Sequence, residues 1–378
     1  MMSLQNFRLP YRAKALAPLG PIGLDLSREK LHLVQMRFGA GRPTIVAACS
    51  VDYPVPKSDL LESPRALRRF VSTAMARNGF SGREVVTCIP AEHLRMSMID
   101  YQLESTQSEG QIIATRALEL FNVSAADSVI DFLPVRKESG GDDERAALVA
   151  CADRIHAEAY LDTLQAAGLE VLALEIGPVA LRRLVTAAIE HDPDRTVLAI
   201  NFGRTRSYMT VFSGRRLALQ REVRFGERDL LRLVVRQLDV DEDEAQRLCY
   251  RHGITAQPLD FQAQSTSENT VAAVLAEIAK GSFVDLVEEI EQVAIFAASQ
   301  LRGAPIDTIY LLGSIARWPG AEAYLSNLLS MEVKLLDPFA AFDVESTNQS
   351  SAETLDPIAG IAIATGCSLR QGGEDGKL

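Results

Sequence analysis

The residues best suited to bind a ligand lie in two short polar turns, each set between apolar strands. They are Ser27, Arg28 and Lys30 in the first turn and Gly203, Thr205 and Ser207 in the second. Backbone N–H groups and hydroxyls that point out of a tight turn can cradle a phosphate, and nearby cationic side chains attract anions. A plain β-turn with solvated charges explains the same residues, so the turns alone leave both interpretations open.

The segments around the two turns repeat one another. The apolar run 197–200 is typical of a strand covered on both faces, and it opens the strand–turn–strand pattern of 196–212. The segment 22–36 has the same pattern, and a third strand follows each copy, at 44–51 and 217–223. Because helical sequence comes next in both places, the chain reads as two related halves. Two such units facing each other across a cleft form the architecture of actin- and Hsp70-type ATPases.

Composition excludes several classes of function. The 378 residues carry a net charge of −11, and no local basic patch of the kind that binds nucleic acid is evident in the sequence. The five cysteines are odd in number and widely spaced, which favours free thiols in a cytosolic protein. No apolar run reaches the ~18 residues of a membrane span, so a cytoplasmic protein is expected. The basic, aromatic segment 7–16 is typical of a flexible leader, although it also suits an anionic membrane surface.

Interruptions of the repeat predict the domain organisation, one interruption falling in each half. The expected parts are a flexible basic leader (1–19), a first core (20–84 with 168–192), an inserted α+β subdomain (85–167), a second core (195–225 with 305–370), a helical insertion (226–304) and a disordered tail (371–378). Within the helical insertion, Ser282 is predicted to begin a long amphipathic helix.

Five segments together resemble the PilM family, the actin-like proteins of type IV pilus assembly that are related to FtsA. They are 25–32, 201–207, 223–230 with 243–249, 311–320 and 365–370. The resemblance extends over about 20–370. It implies an α/β, actin-like fold of duplicated ribonuclease-H-like halves, with an α+β insertion in the first half and a helical insertion in the second.

The family's cofactor is ATP with Mg²⁺, so the resemblance also implies a nucleotide cleft. The residues that would line it are Asp25, Ser27, Arg28, Lys30, Asn201, Gly203, Thr205, Ser207, Gln246, Gly313 and Ser314.

Several of those positions depart from the family pattern. Ser27 and Ser314 replace glycines, and Gln246 replaces the glutamate that reaches the ribose. Asn201 replaces an aspartate, and a neutral amide is a much poorer metal ligand than a carboxylate. Ile315 also replaces a glycine and is expected to occupy the space of the purine. These departures predict weak or absent ATP binding and assign no catalytic residue, with an active ATPase as the alternative.

A partner is also implied by the resemblance. In the family, the cytoplasmic N-terminal peptide of a bitopic membrane protein of the PilN type lies in a groove between the first core and the insertion. The corresponding residues here are Pro90, Ala91, His93, Leu94 and Arg95. The protein is therefore expected to be a scaffold, peripheral at the inner membrane through this partner, with other platform proteins as further contacts. For these residues a mere crossover between domains is an equally open interpretation.

Overall fold

The computed structural model describes residues 18–27, 30–103, 107–135, 144–188, 195–256, 267–345 and 361–370. The strands are β1 (Leu19–Leu26), β2 (Lys30–Arg37), β3 (Thr44–Asp52), β4 (Glu84–Cys88), β5 (Leu94–Gln102), β6 (Ser128–Val135), β7 (Glu144–Asp153), β8 (Glu170–Glu175), β9 (Thr196–Phe202), β10 (Ser207–Ser213), β11 (Arg216–Val223), β12 (Thr308–Gly313), β13 (Val333–Leu335) and β14 (Asp343–Val344). The α-helices are α1 (Lys57–Glu62), α2 (Pro64–Arg77), α3 (Glu109–Phe121), α4 (Arg154–Ala166), α5 (Gly177–Ala188), α6 (Glu227–Leu238), α7 (Glu242–His252), α8 (Ser267–Gln300), α9 (Ala321–Leu329) and α10 (Ile361–Ser368).

The two halves repeat one another strand for strand. In the first half β1, β2 and β3 form an antiparallel meander, and β4 joins β1 in parallel. In the second half β9, β10 and β11 form the same meander, and β12 joins β9 in parallel. The sheet orders are β14-β3-β2-β1-β4-β8 and β11-β10-β9-β12-β13, with a separate three-stranded sheet β5-β7-β6. The predicted actin-like α/β fold is confirmed.

Strand β2 shows why the central strands are apolar on both faces. Leu31 and Leu33 point to one side of the sheet, where they pack with residues of α2 and α4. Val34 and Met36 point to the other side, where they pack with residues of α5 and α10. All four are fully buried, and full burial of one such side chain stabilises the fold by roughly 1.5–3 kcal/mol. A sheet sandwiched in this way needs near-continuous apolar strands.

The inserted subdomain is shorter than the predicted 85–167. Strand β4 lies between β1 and β8 in the six-stranded sheet. Helix α4 packs on that sheet as well, through Tyr160 and Leu164. Only the elements from β5 to β7 form a separate unit around the three-stranded sheet. The predicted boundaries were wrong because a short apolar run does not show which strand it will pair with.

Two elements that follow the second half in the chain, β14 and α10, pack on the first half. Strand β14 pairs with β3, and α10 packs on β1, β2 and β4 of the first half, although both fall inside the range predicted for the second core. Gly23 permits the approach of α10, because a Cβ at that position would lie 1.8 Å from the Ala364 carbonyl oxygen. This long-range contact leaves no signature in the local pattern of 361–368.

Helix α8 begins before the predicted start at Ser282. It runs from Ser267 to Gln300 and passes through Gly281. A single glycine costs a helix only about 1 kcal/mol relative to alanine, which the apolar packing of this helix outweighs. Phe283, Leu286, Ile290 and Val293 are all buried against the second half, as their spacing predicted. Among the described residues, no helix has both the length and the apolar character to cross a membrane.

Candidate functional site

A cavity of about 220 Å³ lies where the two halves meet. Seven of the predicted nucleotide-site residues line it, namely Asp25, Ser27, Lys30, Asn201, Gly203, Gly313 and Ser314. They come from the β1–β2 turn, the β9–β10 turn and the end of β12, with α10 closing the cavity. The duplicated fold brings the two turns together, as the repeat predicted.

The first turn uses its polar groups internally. The Ser27 hydroxyl donates to the Lys30 carbonyl oxygen at 2.8 Å and accepts from the Lys30 N–H at 3.3 Å. The Tyr53 hydroxyl lies 2.9 Å from the carbonyl oxygens of both residues, and Lys57 Nζ donates to the Leu26 carbonyl oxygen at 2.7 Å. Arg28 lies outside the described residues. The turn therefore offers fewer donors to an anion than its composition suggests.

The second turn depends on close backbone approach. A Cβ on Gly203 would lie 2.2 Å from the Arg206 carbonyl oxygen, so no larger residue fits this β9–β10 turn. The turn is also joined to the start of α6, because Glu227 N–H donates to the Gly203 carbonyl oxygen and Arg228 N–H donates to the Arg204 carbonyl oxygen. These contacts fix the turn in place.

Three predicted ligand-binding residues lie away from the cavity lining. Ser207 is fully buried and its hydroxyl donates to the Phe225 carbonyl oxygen at 2.6 Å. Thr205 is exposed at the tip of the turn, and Gln246 lies on α7. Strand alternation explains Ser207, because the first residue of β10 points inward to the core and not out of the turn.

The loop after β12 places Ile315 differently from the prediction. Gly313 has φ +86°, a left-handed conformation that glycine adopts without strain. Ser314 Oγ donates to the Phe202 carbonyl oxygen at 3.2 Å. Ile315 is fully buried in the core of the second half and does not line the cavity, so it does not occupy the space of a purine. Trp318 is buried too, and its Nε1–H donates to Glu227 Oε1 at 3.2 Å, which makes it a packing residue.

Among the described residues, the basic side chains that line the cavity already have partners. Arg204 pairs with Glu242, and Lys30 lies 3.5 Å from Asp52. The Arg317 guanidinium donates to the Tyr250 hydroxyl at 2.5 Å and stacks 4.5 Å from the centroid of that ring. An anion entering the cavity would compete with these contacts. Arg317 and Glu227 were not predicted to line the cavity, because neither lies in the two polar turns that suggested a phosphate cradle.

His32 is another cavity residue that the sequence analysis did not select. It is opposite Asp25 in the β1–β2 register, and its Nδ1 lies 2.8 Å from Ser50 Oγ. Burial, together with the nearby cations Lys30 and Arg317, lowers the pKa of His32 to about 3. The imidazole is therefore neutral at physiological pH and adds no charge for a phosphate. The alternation of β2 could have identified it, since His32 shares a face with Val34 and Met36.

The carboxylate of Asp25 is held in an unfavourable environment. Burial, with a smaller contribution from the Glu92 carboxylate, raises the pKa of Asp25 to about 6 against the opposing effect of the Lys57 ammonium. Asn201 is neutral, and no three acidic, histidine or cysteine side chains of the described residues are grouped to hold a metal ion. The cavity is also smaller than the roughly 300–1,000 Å³ of typical small-molecule sites. The described residues thus fit ATP with Mg²⁺ poorly.

Replacing Asp25 with asparagine is expected to stabilise the protein at pH 7.5 by about 2 kcal/mol. Because the folded-state pKa lies above the usual 3.8, the folded protein holds a disfavoured charge above pH 6. The difference between variant and wild type should shrink as the pH falls from 6 to 4, because the folded protein takes up the proton over this range while the unfolded chain, with the usual pKa of 3.8, does not. Urea unfolding at several pH values measures it, and a variant that is less stable at pH 7.5 would contradict the assignment.

The residues predicted to bind a partner lie at the junction of the six-stranded sheet and the inserted subdomain. Pro90 precedes a single 3₁₀ turn, Ala91–His93, on which Ala91 is exposed. Leu94 is half-buried and packs against a small apolar cluster that contains Ile89, Ala152 and Ala157. One side of the backbone at this junction therefore packs on the apolar cluster, and the other side is exposed to solvent.

Two further side chains shape the rim of the junction. The ring of His93 stacks on His156 with centroids 4.4 Å apart and an interplanar angle of 19°. Arg95 donates to Asp153 Oδ1 and to the Phe121 carbonyl oxygen, each at 3.2 Å. Ile155 stands next to this rim at the start of α4 with 73% of its surface exposed. The junction therefore combines an exposed apolar side chain with a polar rim.

Comparisons with known proteins agree with this geometry. A family model described as type IV pilus assembly protein PilM matches residues 23–372. A solved structure titled "PilM-PilN type IV pilus biogenesis complex" has a TM-score of 0.73 and 19% identity, covering 93% of this chain and 98% of that chain. Ethanolamine utilization protein EutJ from Carboxydothermus hydrogenoformans has a TM-score of 0.50 and 15% identity, covering 93% of this chain and 89% of that chain. At these identities the structural similarities show a shared fold.

Proposed function

The chain belongs to the type IV pilus assembly protein PilM family, and we propose that it acts there as a scaffold that binds the cytoplasmic N-terminal peptide of a PilN-like bitopic membrane protein. The observation that carries the proposal is the family match over 23–372, together with the similarity to a solved PilM–PilN complex. Other proteins of the pilus platform are possible further contacts. In this proposal the protein is cytoplasmic and reaches the inner membrane through its partner.

The proposed peptide site is the junction around Ala91, His93 and Leu94. An extended peptide gains most from apolar anchors seated in a preformed groove, and Ile155, the chain neighbour of the His156 that stacks on His93, is an exposed apolar side chain. Arg95 already pairs with Asp153, so it supports the rim more than it binds the peptide. Changes at such a rim should mainly alter the association rate and its salt dependence.

Fractionation of cells tests the proposal. The protein is expressed with and without its PilN-like partner, and membranes are washed with about 0.5 M salt, at which the Debye length falls to about 4 Å. We expect the protein to sediment with membranes only when the partner is present. Retention on washed membranes without the partner would contradict the proposal.

We further propose that the cleft has lost most of its affinity for nucleotide. The support comes from the neutral Asn201, the small cavity and the partners already held by Lys30, Arg204 and Arg317. The remaining hydroxyl of Ser314 would add only about 1 kcal/mol net to binding. The proposal assigns no enzymatic activity, and an active ATPase of the actin and FtsA superfamily is the opposite outcome.

Calorimetry with ATP and Mg²⁺ is expected to give a Kd of about 1 mM or weaker, with negligible hydrolysis. The reason is that position 201 carries no metal-binding carboxylate, and that Lys30, Arg204 and Arg317, the cations that line the cavity among the described residues, already have partners. Micromolar affinity that is lost on replacing Gly203 would contradict this expectation. In that case Asn201→Asp should raise the rate of hydrolysis, which separates a working site from a vestigial one.

A further inference from the structure

Helix α2 carries a basic face on the outer side of the six-stranded sheet. Leu67, Val71 and Ala74 are buried against that sheet. The helical spacing therefore places Arg65 and Arg69 on the opposite, solvent-facing side. Arg68 and Arg77 flank them, and Arg83 follows in the turn before β4. All five arginines are exposed, and the helix itself contains no acidic residue.

These arginines are without side-chain partners in the part of the chain that the structure describes. Elsewhere the exposed arginines are commonly paired, as Arg221 is with Glu289 and Arg247 with Glu244. The nearest elements carry some opposing charge, in Glu62 of α1 and in Glu158 and Asp162 of α4. The sequence analysis found no basic patch of the kind that binds nucleic acid, but the fold exposes the four arginines of α2 together on a helix without acidic residues. Within a protein of net charge −11 this helix is a local exception that an anionic surface would favour.

The basic face is continuous with the point at which the N-terminal segment enters the fold. The Gln35 side chain donates to the carbonyl oxygens of Gly20 at 3.2 Å and Ser81 at 2.8 Å, which joins the start of β1 to the turn that follows α2. The seventeen residues before Pro18 contain three basic and no acidic residues, namely Arg8, Arg12 and Lys14. The described part of the chain therefore begins next to the turn that follows α2.

We infer that the basic face of α2 contacts the anionic phospholipid headgroups of a membrane. The side chains between the arginines are small, as at Ala66, Ser72, Thr73 and Ala76. Protein interfaces depend on a few large apolar or aromatic anchors, and this face offers none. A plane of lipid phosphates needs no anchor, and guanidinium groups bind phosphate bidentately. The face lies on the side of the first half that points away from the second half, where a bilayer can approach it.

This contact orients the protein at the membrane and does not replace attachment through the PilN-like partner. Each basic residue near an anionic surface strengthens binding roughly fivefold, so a few arginines give a weak association that salt abolishes. The inference goes beyond the proposed peptide site and does not depend on it. The salt wash in the fractionation removes this contact and leaves partner-dependent attachment in place.

Sedimentation with vesicles tests the inference on the full chain. The probes are phosphatidylcholine vesicles with and without about a third phosphatidylglycerol, at low ionic strength. We expect binding to the anionic vesicles alone, and a loss of roughly 25-fold in Arg65→Gln/Arg69→Gln. The control is Arg215→Gln/Arg216→Gln, which removes the same charge from the exposed β10–β11 turn. Matching urea midpoints for the two variants exclude a folding defect.

Each other outcome would overturn the inference. Equal losses in the two double variants would show that only net charge matters. Binding that persists in Arg65→Gln/Arg69→Gln but disappears when residues 3–17 are deleted would assign the contact to the leader alone. No binding to anionic vesicles, combined with saturable binding of an acidic protein that needs Arg65 and Arg69, would assign the face to a protein partner.

Discussion

Replacing Ala91 with tryptophan is expected to weaken binding of the PilN-like cytoplasmic peptide at least 100-fold. Ala91 is exposed on the 3₁₀ turn directly above the fixed cluster at Ile89, so an indole there would fill the space that a bound peptide needs. A 100-fold loss corresponds to about 2.7 kcal/mol, which is within the range of a single interface hot spot. Fluorescence anisotropy with a labelled synthetic peptide of the partner's N-terminus measures the loss.

The matched control is Ala66→Trp, which adds the same side chain at another exposed position on α2. Its affinity for the peptide should stay within about twofold of wild type. Leu94 is a poorer test position, because it is half-buried in the cluster with Ala152 and Ala157, and a change there also affects folding. Undiminished binding by Ala91→Trp would show that the peptide lies elsewhere.

Replacing Gly23 with alanine is expected to destabilise the protein by about 3 kcal/mol or more. The added Cβ would lie 1.8 Å from the Ala364 carbonyl oxygen and 2.6 Å from the Ser368 nitrogen, both in the backbone of α10. Backbone cannot move aside as a flexible side chain can, so α10 must shift away from β1. Gly366→Ala should act similarly, because its Cβ would meet the Ala180 carbonyl oxygen of α5 at 2.1 Å. Urea unfolding measures both.

Gly281→Ala is the control for this pair. Nothing lies within 4 Å of a Cβ at that position, which is exposed in the middle of α8. Alanine is the better helix former by about 1 kcal/mol, so this change should raise the unfolding midpoint. If Gly23→Ala unfolds at the wild-type urea concentration, the close packing of α10 on the sheet is wrong.

Helix α10 is also attached to the first half just after its C-terminal end. Arg370, just after α10, pairs with the buried Glu175 at the end of β8, and Arg183 of α5 donates two hydrogen bonds to the same carboxylate. Breaking a buried pair of this kind leaves an uncompensated charge, which commonly costs 3–5 kcal/mol. Helix α10 thus closes the first half and forms one wall of the cavity.

The sequence by itself determined the elements and their duplication. The apolar run 197–200 is typical of a strand covered on both faces, and the strand–turn–strand pattern of 196–212 recurs at 22–36. The loss of a carboxylate at Asn201 was visible because a single side chain decides that chemistry.

Only the tertiary structure decided which elements meet and which polar groups remain available for a ligand. It placed β4 in the main sheet and α10 against the first half, since strand pairing and helix docking depend on residues far apart in the chain. In the structure, Ser207 points into the core, Ile315 lies outside the cavity lining, and Arg204 pairs with Glu242. A local pattern fixes how a side chain alternates along its own element, but its neighbours across the fold determine what that side chain contacts.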